Sequence, residues 1–324
     1  MEKIKTIIYL TFLIFLFQSC EKIIDDFEFK ERKTKIVLNG ILKKDSLLTL
    51  HISKSIPAHS PDTIMPLKEA SVKLYESGKF IENLLFDENG FYKTSNFITP
   101  STSNEYKIRV EAKGLETVEA TTHYPELPQV ISIDTSYHQA DYEYGYLNSL
   151  EIKIQFRDNS KASNYYMVEL FYYGNVYYDD YFNEIYDTVS TYINPFIISD
   201  DEIIEIEYNG SDYWQSAPEW EAYGTKLIFS DKLINGKTHT LKLNIDPYNF
   251  YMDSSNSKNI LYVNFHNVGK DYYEYMIRRA MVNDTENNPL VEPVTLYTNV
   301  KNGLGIFGAR NTYTKAIEIK KGSR

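Results

Sequence analysis

The chain has 324 residues, of which 43% are hydrophobic, and it carries a formal net charge of −11 at pH 7. This composition allows sizeable cores and excludes a disordered chain, and the length suits two domains of ordinary size. The acidic balance, with no basic patch of interleaved aromatic residues, excludes nucleic acid as a partner. The 29 tyrosines favour β structure, because tyrosine suits half-buried pleated surfaces.

Residues 1–19 have the form of a signal peptide. Lys3 and Lys5 give a basic start, and the apolar run 7–17 is too short to cross a bilayer as a helix. A small residue then precedes Cys20, the one cysteine of the chain. This junction resembles the lipobox of bacterial lipoproteins, in which the cysteine is lipidated and becomes the first mature residue. We therefore expect lipidation of Cys20 by palmitate-type acyl chains, which together anchor a protein firmly.

Residues 20–34 are predicted to form a charged tether that follows the lipidated cysteine. Its acidic patch, made of Asp25, Asp26 and Glu28, resembles the surface-export signal of Bacteroidetes lipoproteins. The alternative is a solvated acidic spacer without a sorting role, and both interpretations stay open at this point.

Residues 35–126 are predicted to form an immunoglobulin-like β-sandwich. Its seven short segments recur at spacings near ten residues and lack helical periodicity. Asn89 and Gly90 predict a hairpin turn, because glycine readily supplies positive φ. Pro125 and Pro128 restrict the residues before them to extended geometry and mark the domain boundary. The predicted strands are 35–40, 47–52, 70–76, 80–86, the segment at 92, 106–112 and 117–123.

Residues 128–324 are predicted to form a larger β-rich domain with one short helix, so the whole chain is all-β in class. Gly174 and Asn175 are interpreted as the turn of a hairpin. Asp271 to Glu274 has the form of a capping box, and apolar residues then repeat at helical spacing as far as Met281, which predicts a helix that covers the sheet core. The predicted strands are 130–134, 150–156, 165–173, 176–181, 203–208, 225–229, 238–245 and 261–265.

Several segments resemble one family of bacterial lipoproteins, found in Bacteroidetes and catalogued as domain of unknown function 4249. The resemblance implies an outer-membrane lipoprotein whose relatives are often associated with TonB-dependent receptors, and it implies no catalytic residues. Residues 302–305 suit a tight turn with close backbone packing rather than a phosphate site, since no Lys-Ser/Thr follows. The segments that carry the resemblance are 35–40, 89–92, 270–275, 289–293 and 298–309.

The sequence contains no strong catalytic motif. Its six histidines never fall at metal-ligand spacing, and neither HExxH nor GxSxG occurs, so we expect no metal and no cofactor. Acidic residues of the tyrosine-rich region leave two interpretations open, namely the carboxylate pair of a glycan- or peptide-active enzyme or a solvated acidic surface. These acids are Asp179, Asp180, Glu184, Asp187, Asp200, Asp201 and Glu202.

The region from residue 137 to residue 213 is rich in tyrosine and predicts a binding surface. Exposed aromatic rings suit glycan or peptide recognition, because each ring offers rigid area together with a polar group. The alternative is that the rings cover sheet edges and pack between domains. The candidate ligand-binding residues are Tyr172, Tyr173, Tyr177, Tyr178, Tyr181, Trp214 and Trp220.

These features together predict a non-catalytic lipoprotein, anchored by lipid in the outer membrane, that binds a glycan or peptide or assists a TonB-dependent receptor. One alternative is an enzyme that uses the carboxylates of the tyrosine-rich region. Another is a purely structural lipoprotein of the cell envelope.

Overall fold

A computed structural model describes residues 33–57, 63–142, 145–180, 185–209, 225–245, 259–285, 292 and 294–319. It confirms the predicted all-β class with a short helix near the C-terminus. No helix of these residues has the length and apolar character needed to span a membrane. The predicted signal peptide, Cys20, and the acidic residues Asp25, Asp26 and Glu28 lie outside the described residues.

The first eight strands precede the predicted domain boundary. Their sequences alternate between buried and half-buried or exposed positions, most regularly in β7, as expected for strands with one face on a core. The bounds are β1 (Ile36–Leu42), β2 (Thr49–Lys54), β3 (Ser71–Glu76), β4 (Lys79–Asn83), β5 (Leu85–Phe86), β6 (Tyr92–Lys93), β7 (Glu105–Glu111) and β8 (Val118–His123).

The second part of the chain contributes longer strands and the helix. A short 3₁₀ turn, Asp231–Leu233, follows β15, and helix α1 spans Lys270–Thr285. The strands are β9 (Gln129–Tyr142), β10 (Gly145–Arg157), β11 (Tyr165–Asp180), β12 (Ile185–Ile193), β13 (Ile197–Ile198), β14 (Ile206–Asn209), β15 (Thr225–Ser230), β16 (Thr238–Ile245), β17 (Ile260–Val268) and β18 (Leu304–Glu318).

The described strands form one ten-stranded sheet and two four-stranded sheets. The large sheet has the order β14-β15-β11-β17-β18-β1-β2-β6-β5, with β12 paired to β11 as a branch. The small sheets have the orders β4-β3-β7-β8 and β13-β16-β10-β9. The large sheet therefore contains strands from both sides of the predicted domain boundary.

Both small sheets pack on the same face of the large sheet. Phe307 of β18 belongs to the hydrophobic cluster shared with β3, β7 and β8, whereas Tyr313 and Ile317 pack against the cluster shared with β10 and β16. These residues lie at odd positions along β18, and alternate positions of a strand share one face. Ile306, at an even position, belongs to the cluster beneath helix α1. The helix thus covers the opposite face, as the sequence predicts.

The first and last segments that carry the family resemblance, 35–40 and 298–309, lie side by side in the structure. Strand β1 pairs in parallel with β18, with Val37 opposite Leu304 and Leu42 opposite Ala309. Gly305 has φ +98°, and a Cβ at this position would lie 2.1 Å from the carbonyl oxygen of Leu38. The prediction that this run provides close backbone packing is confirmed.

Two local predictions are wrong. Gly174 and Asn175 form no turn, because β11 continues to Asp180 and pairs along this stretch with β12. The strand-forming residues on both sides and the ladder that β12 supplies outweigh the turn preference of the pair. The predicted capping box is also absent, since α1 begins at Lys270, one residue before Asp271.

The predicted boundary at residues 124–128 falls between β8 and β9. The main hydrophobic clusters largely follow it, since one draws mostly on residues before it and another on residues after it. The large sheet crosses it, however, and Thr34–Arg324 form one compact unit. The division into 35–126 and 128–324 stays a prediction.

Candidate ligand-binding groove

A polar groove opens where the segment after β8 meets the loop between β10 and β11 and the start of α1. Its larger part, which we call the α1 compartment, has a volume of about 470 Å³ and is lined by Thr122 to Glu126, Asn159 to Tyr165 and Asn267 to Asp271, among other residues. This volume lies in the range of ligand-binding clefts. The second part, the Arg157 compartment, has about 370 Å³.

A relay of asparagine side chains forms one wall of the groove. At the rim, Asn159 Nδ2 donates a hydrogen bond to Glu126 Oε2 at 2.9 Å. Asn164 Nδ2 donates to the carbonyl oxygens of Asn159 and Ala162, and its Oδ1 accepts from Asn267 Nδ2 at 3.5 Å. The relay thus runs from the exposed rim to the buried floor and holds the loop between β10 and β11 in place.

The floor of the groove retains polar groups without partners. Asn267 is 6% exposed, and its Oδ1 has no hydrogen bond within the described residues. Thr122 is 1% exposed, and its hydroxyl likewise has no partner there. The backbone N–H groups of Lys270 and Asp271 belong to the first turn of α1, where no carbonyl of the helix can accept from them. Such groups are normally paired with protein, water or ligand.

Tyr165 supplies the aromatic surface of the groove. Its ring lies 4.6 Å from the ring of Tyr273 between centroids. The Tyr273 hydroxyl donates to Glu205, which also accepts from Ser230. Burial alone would raise the pKa of Glu205, but these hydrogen bonds outweigh it and hold the pKa below its usual value. Tyr165 is therefore fixed beside a helix that is itself held by an ionised carboxylate.

A buried ionic cluster lies beneath α1 on the same face of the large sheet. Arg310 Nη1 donates to Glu169 Oε1 at 2.9 Å, and His266 Nε2 lies 3.1 Å from the same oxygen. Burial lowers the pKa of His266 to about 4, so the ring is neutral at pH 7. Burial alone would raise the pKa of Glu169, but the charge of Arg310 and the hydrogen bond with His266, together with smaller charge contributions, outweigh it and lower the pKa. The cluster lies outside the groove lining, and we assign it a structural role.

The predicted aromatic residues do not form a surface within the described residues. Tyr172 is buried in the core and its hydroxyl donates to Asn259, so it cannot face a ligand. Tyr173, its neighbour on β11, is half-buried. The backbones of Tyr177 and Tyr178 belong to β11, and their side chains lie outside the description. The remaining three, Tyr181, Trp214 and Trp220, lie wholly outside it.

The predicted carboxylates within the described residues fall in two places, the β11–β12 ladder and the turn before β14. Asp201 accepts from the backbone N–H of Ile203 and lies 2.9 Å from His239 Nε2, so it stabilises the turn before β14. Asp200 and Glu202 flank it in that turn. Asp179 and Asp180 end β11, Asp187 lies on β12, and Glu184 lies outside the described residues. The alternative of a carboxylate pair therefore stays untested at its central positions.

Sequence reasoning missed the groove because its residues come from three distant segments. Residues 157–160, which include Asn159, have the composition of a turn, and asparagine in a turn is usually a backbone feature. The predicted helix start identified Lys270 and Asp271. No pattern in the sequence indicates that these two places meet Thr122.

The fold and the groove define a β-sheet protein with a polar surface cleft beside its one described helix. The chain belongs to the family described as Domain of unknown function (DUF4249), whose model matches residues 24–316. This match confirms the family that the sequence resembles.

No curated protein matches the chain. Among solved structures, one similar chain is a protein from Corynebacterium diphtheriae that is described as membrane anchored, with 11% identity and a TM-score of 0.20. The comparison covers 86% of this chain and 60% of that one, so this chain spans less than two thirds of its length. A likeness this weak carries no argument about fold or function.

Proposed function

We propose that this protein is a non-catalytic lipoprotein of the outer membrane that binds a glycan or peptide in the groove and assists a TonB-dependent receptor. The observation that carries the proposal is the groove floor, where Asn267 and Thr122 are buried without partners beside the start of α1. Neither the Asn267 Oδ1 nor the Thr122 hydroxyl is among the fully buried unpaired atoms of the described residues, so both are accessible from the groove. A ligand that displaces water from them can supply the same hydrogen bonds.

The anchor and the location are supported by the sequence. Cys20 follows a short apolar run with a basic start, as in lipoproteins, and the resemblance of the sequence implies an outer-membrane lipoprotein. Lipidation would place the groove near the membrane surface, at the end of a charged tether. That placement suits a protein that presents a ligand to a membrane receptor.

Binding is tested by screening the purified chain, with Cys20→Ala for solubility, against panels of neutral glycans and short peptides. Lys161→Glu changes an exposed residue that lines both compartments. Lys113→Glu changes an equally exposed lysine outside the groove lining and serves as the matched control. We expect saturable binding that Lys161→Glu weakens and Lys113→Glu does not. No saturable binding in either panel would contradict the proposed function.

The location and the partner are tested in cells of the native host. Protease added to intact cells should remove the wild-type protein, whereas Cys20→Ala should be absent from the outer-membrane fraction. A pull-down from native membranes should recover a TonB-dependent receptor with the wild type only. Recovery of no receptor would contradict the accessory role, and protection from protease until the outer membrane is broken would contradict surface exposure.

A further inference from the structure

The groove is longer than one small ligand needs. The α1 compartment and the Arg157 compartment share Glu126, Asn159 and Lys161 in their linings, so the two lie side by side and meet at these residues. The start of α1 lies at one end, and Arg157 with Gly236 lies at the other. A cleft of this form suits a linear ligand that occupies both compartments.

The two compartments carry balanced charge. Their linings contain three basic residues, Lys161, Lys270 and Arg157, and three carboxylates, Glu126, Asp271 and Asp158. All three carboxylates accept hydrogen bonds from protein side chains. The donors are the Tyr297 hydroxyl for Asp271, the Tyr166 hydroxyl for Asp158 and the Asn159 amide for Glu126. With no surplus of positive charge, the cleft favours a neutral ligand over a phosphate or another polyanion.

The unpaired groups of the floor include both hydrogen-bond donors and acceptors. Asn267 Oδ1 accepts, the N–H groups of Lys270 and Asp271 donate, and the Thr122 hydroxyl can do either. Adjacent hydroxyls on a sugar ring supply both functions within one residue of the ligand. The half-buried Tyr165 ring adds an apolar surface for the C–H face of a sugar.

Peptide recognition normally uses other features. An extended peptide binds to a free strand edge or places side chains in apolar pockets. Two edge strands do reach the cleft, β8 through Thr122 and His123 and β9 through Gln129, but these stretches are too short to pair with an extended peptide. Loops, the first turn of α1 and the ends of β10, β11 and β17 form the rest of the lining. Of the two ligand classes in the proposed function, its chemistry favours the glycan.

We propose that the cleft binds a neutral, linear oligosaccharide, with one sugar at the start of α1 held by Asn267 and Thr122, and the following sugars extending past Lys161 towards Arg157. This inference rests on the proposed binding function. It names the ligand class and the direction of the chain within the groove.

The test is a calorimetric titration of the full chain, with Cys20→Ala, against neutral gluco-, manno- and galacto-oligosaccharides of one to six units. We expect at least one series in which Kd falls with length and then becomes constant. Arg157→Ala should leave the shortest binding sugar unaffected and remove about a three- to tenfold gain from the longer ones. Arg278→Ala, an exposed arginine on α1 outside the groove lining, should change neither.

Thr122→Val replaces the hydroxyl with a methyl group and should weaken sugars of every length by about three- to tenfold. Because Thr122 is buried, the thermal unfolding of the Thr122→Val variant is compared with that of the wild type. Lys161→Glu changes a surface residue and provides a second variant, which should weaken binding of the longer sugars. Affinity independent of length, or insensitive to these variants, would overturn the inference. Binding of peptides but not sugars would also overturn it while leaving the proposed function intact, whereas no binder in either class would remove both.

Discussion

At the residue scale, Gly305 shows how the close approach of two backbone segments can require glycine at a position. Its φ of +98° disfavours any side chain, and the carbonyl oxygen of Leu38 lies only 2.1 Å from the place of a Cβ. We expect Gly305→Ala to lower the free energy of unfolding by about 3 kcal/mol or more, because both backbone strain and a clash arise.

Gly114→Ala is the matched control for this prediction. Gly114 also has positive φ, at +77°, but no atom lies within 4 Å of the place of its Cβ. Gly114→Ala should lower the free energy of unfolding by only about 1 kcal/mol, which is the cost of the left-handed conformation alone. Urea unfolding measures both variants, and equal losses would show that the contact with Leu38 contributes nothing.

His266 predicts a specific loss of stability in acid. Its pKa is about 4 in the folded protein against 6.5 when unfolded, so the unfolded chain binds the proton first. The stabilisation is complete above pH 6.5 and is lost as the pH falls from 6.5 towards 4, on the order of 3 kcal/mol.

His266→Gln should remove this part of the pH dependence, measured as urea unfolding at pH 7, 5.5 and 4.5. Glu169, whose pKa is also depressed in the folded protein, adds a further loss of stability as the pH falls below its ordinary pKa of 4.5. The difference between wild type and variant is therefore the informative quantity. His123→Gln, on the exposed rim of the groove, is the control. Identical pH profiles for the wild type and His266→Gln would contradict the prediction.

At the element scale, helix α1 offers a test with two methionines. Met276 is 1% exposed and packs in the cluster between the helix and the large sheet, whereas Met281 is 37% exposed. Met276→Ala should lower the free energy of unfolding by about 2–5 kcal/mol, because it leaves a cavity. Met281→Ala should change it by about 0.5 kcal/mol or less. Thermal unfolding followed by circular dichroism compares them, and similar losses would contradict the docking of this face.

The sequence predicts elements well where their periodicity is local. The alternation of β7 and the helical spacing after Lys270 both identify the element, because each reflects one face buried on one core. Local periodicity does not predict strand β18, because its glycines indicate turns and its partners β1 and β17 are distant in sequence. The turn predicted at Gly174 and Asn175 fails for the same reason, as β12 supplies the deciding ladder. The groove is less predictable still, because it depends on three segments meeting.

At the scale of the whole molecule, the large sheet predicts how the chain unfolds. Strand β18 pairs with β1 on one side and with β17 on the other. Val300, Phe307 and Ala309 also complete the core of the N-terminal strands. Calorimetry should therefore give one cooperative transition, with equal van't Hoff and calorimetric enthalpies.

The isolated segment 35–126 provides the complementary experiment. It lacks β18 and the core side chains of Val300, Phe307 and Ala309, so we expect it to remain unfolded in solution. Two separate calorimetric transitions in the full chain, or a folded 35–126 segment, would instead support two independent domains divided at residues 124–128.

The parallel pairing of β1 with β18 also has a kinetic consequence. Asn39 accepts a hydrogen bond from the N–H of Ile306, 267 positions away in the chain. A ribosome therefore releases almost the entire polypeptide before the first strand can gain one of its two neighbours. Contacts of such long range slow folding, because the entropy of closing the loop is lost before the pairing is gained. Until its last strand is available, the newly made chain exposes one edge of β1, and an unpaired strand edge of this kind can pair with other chains and aggregate.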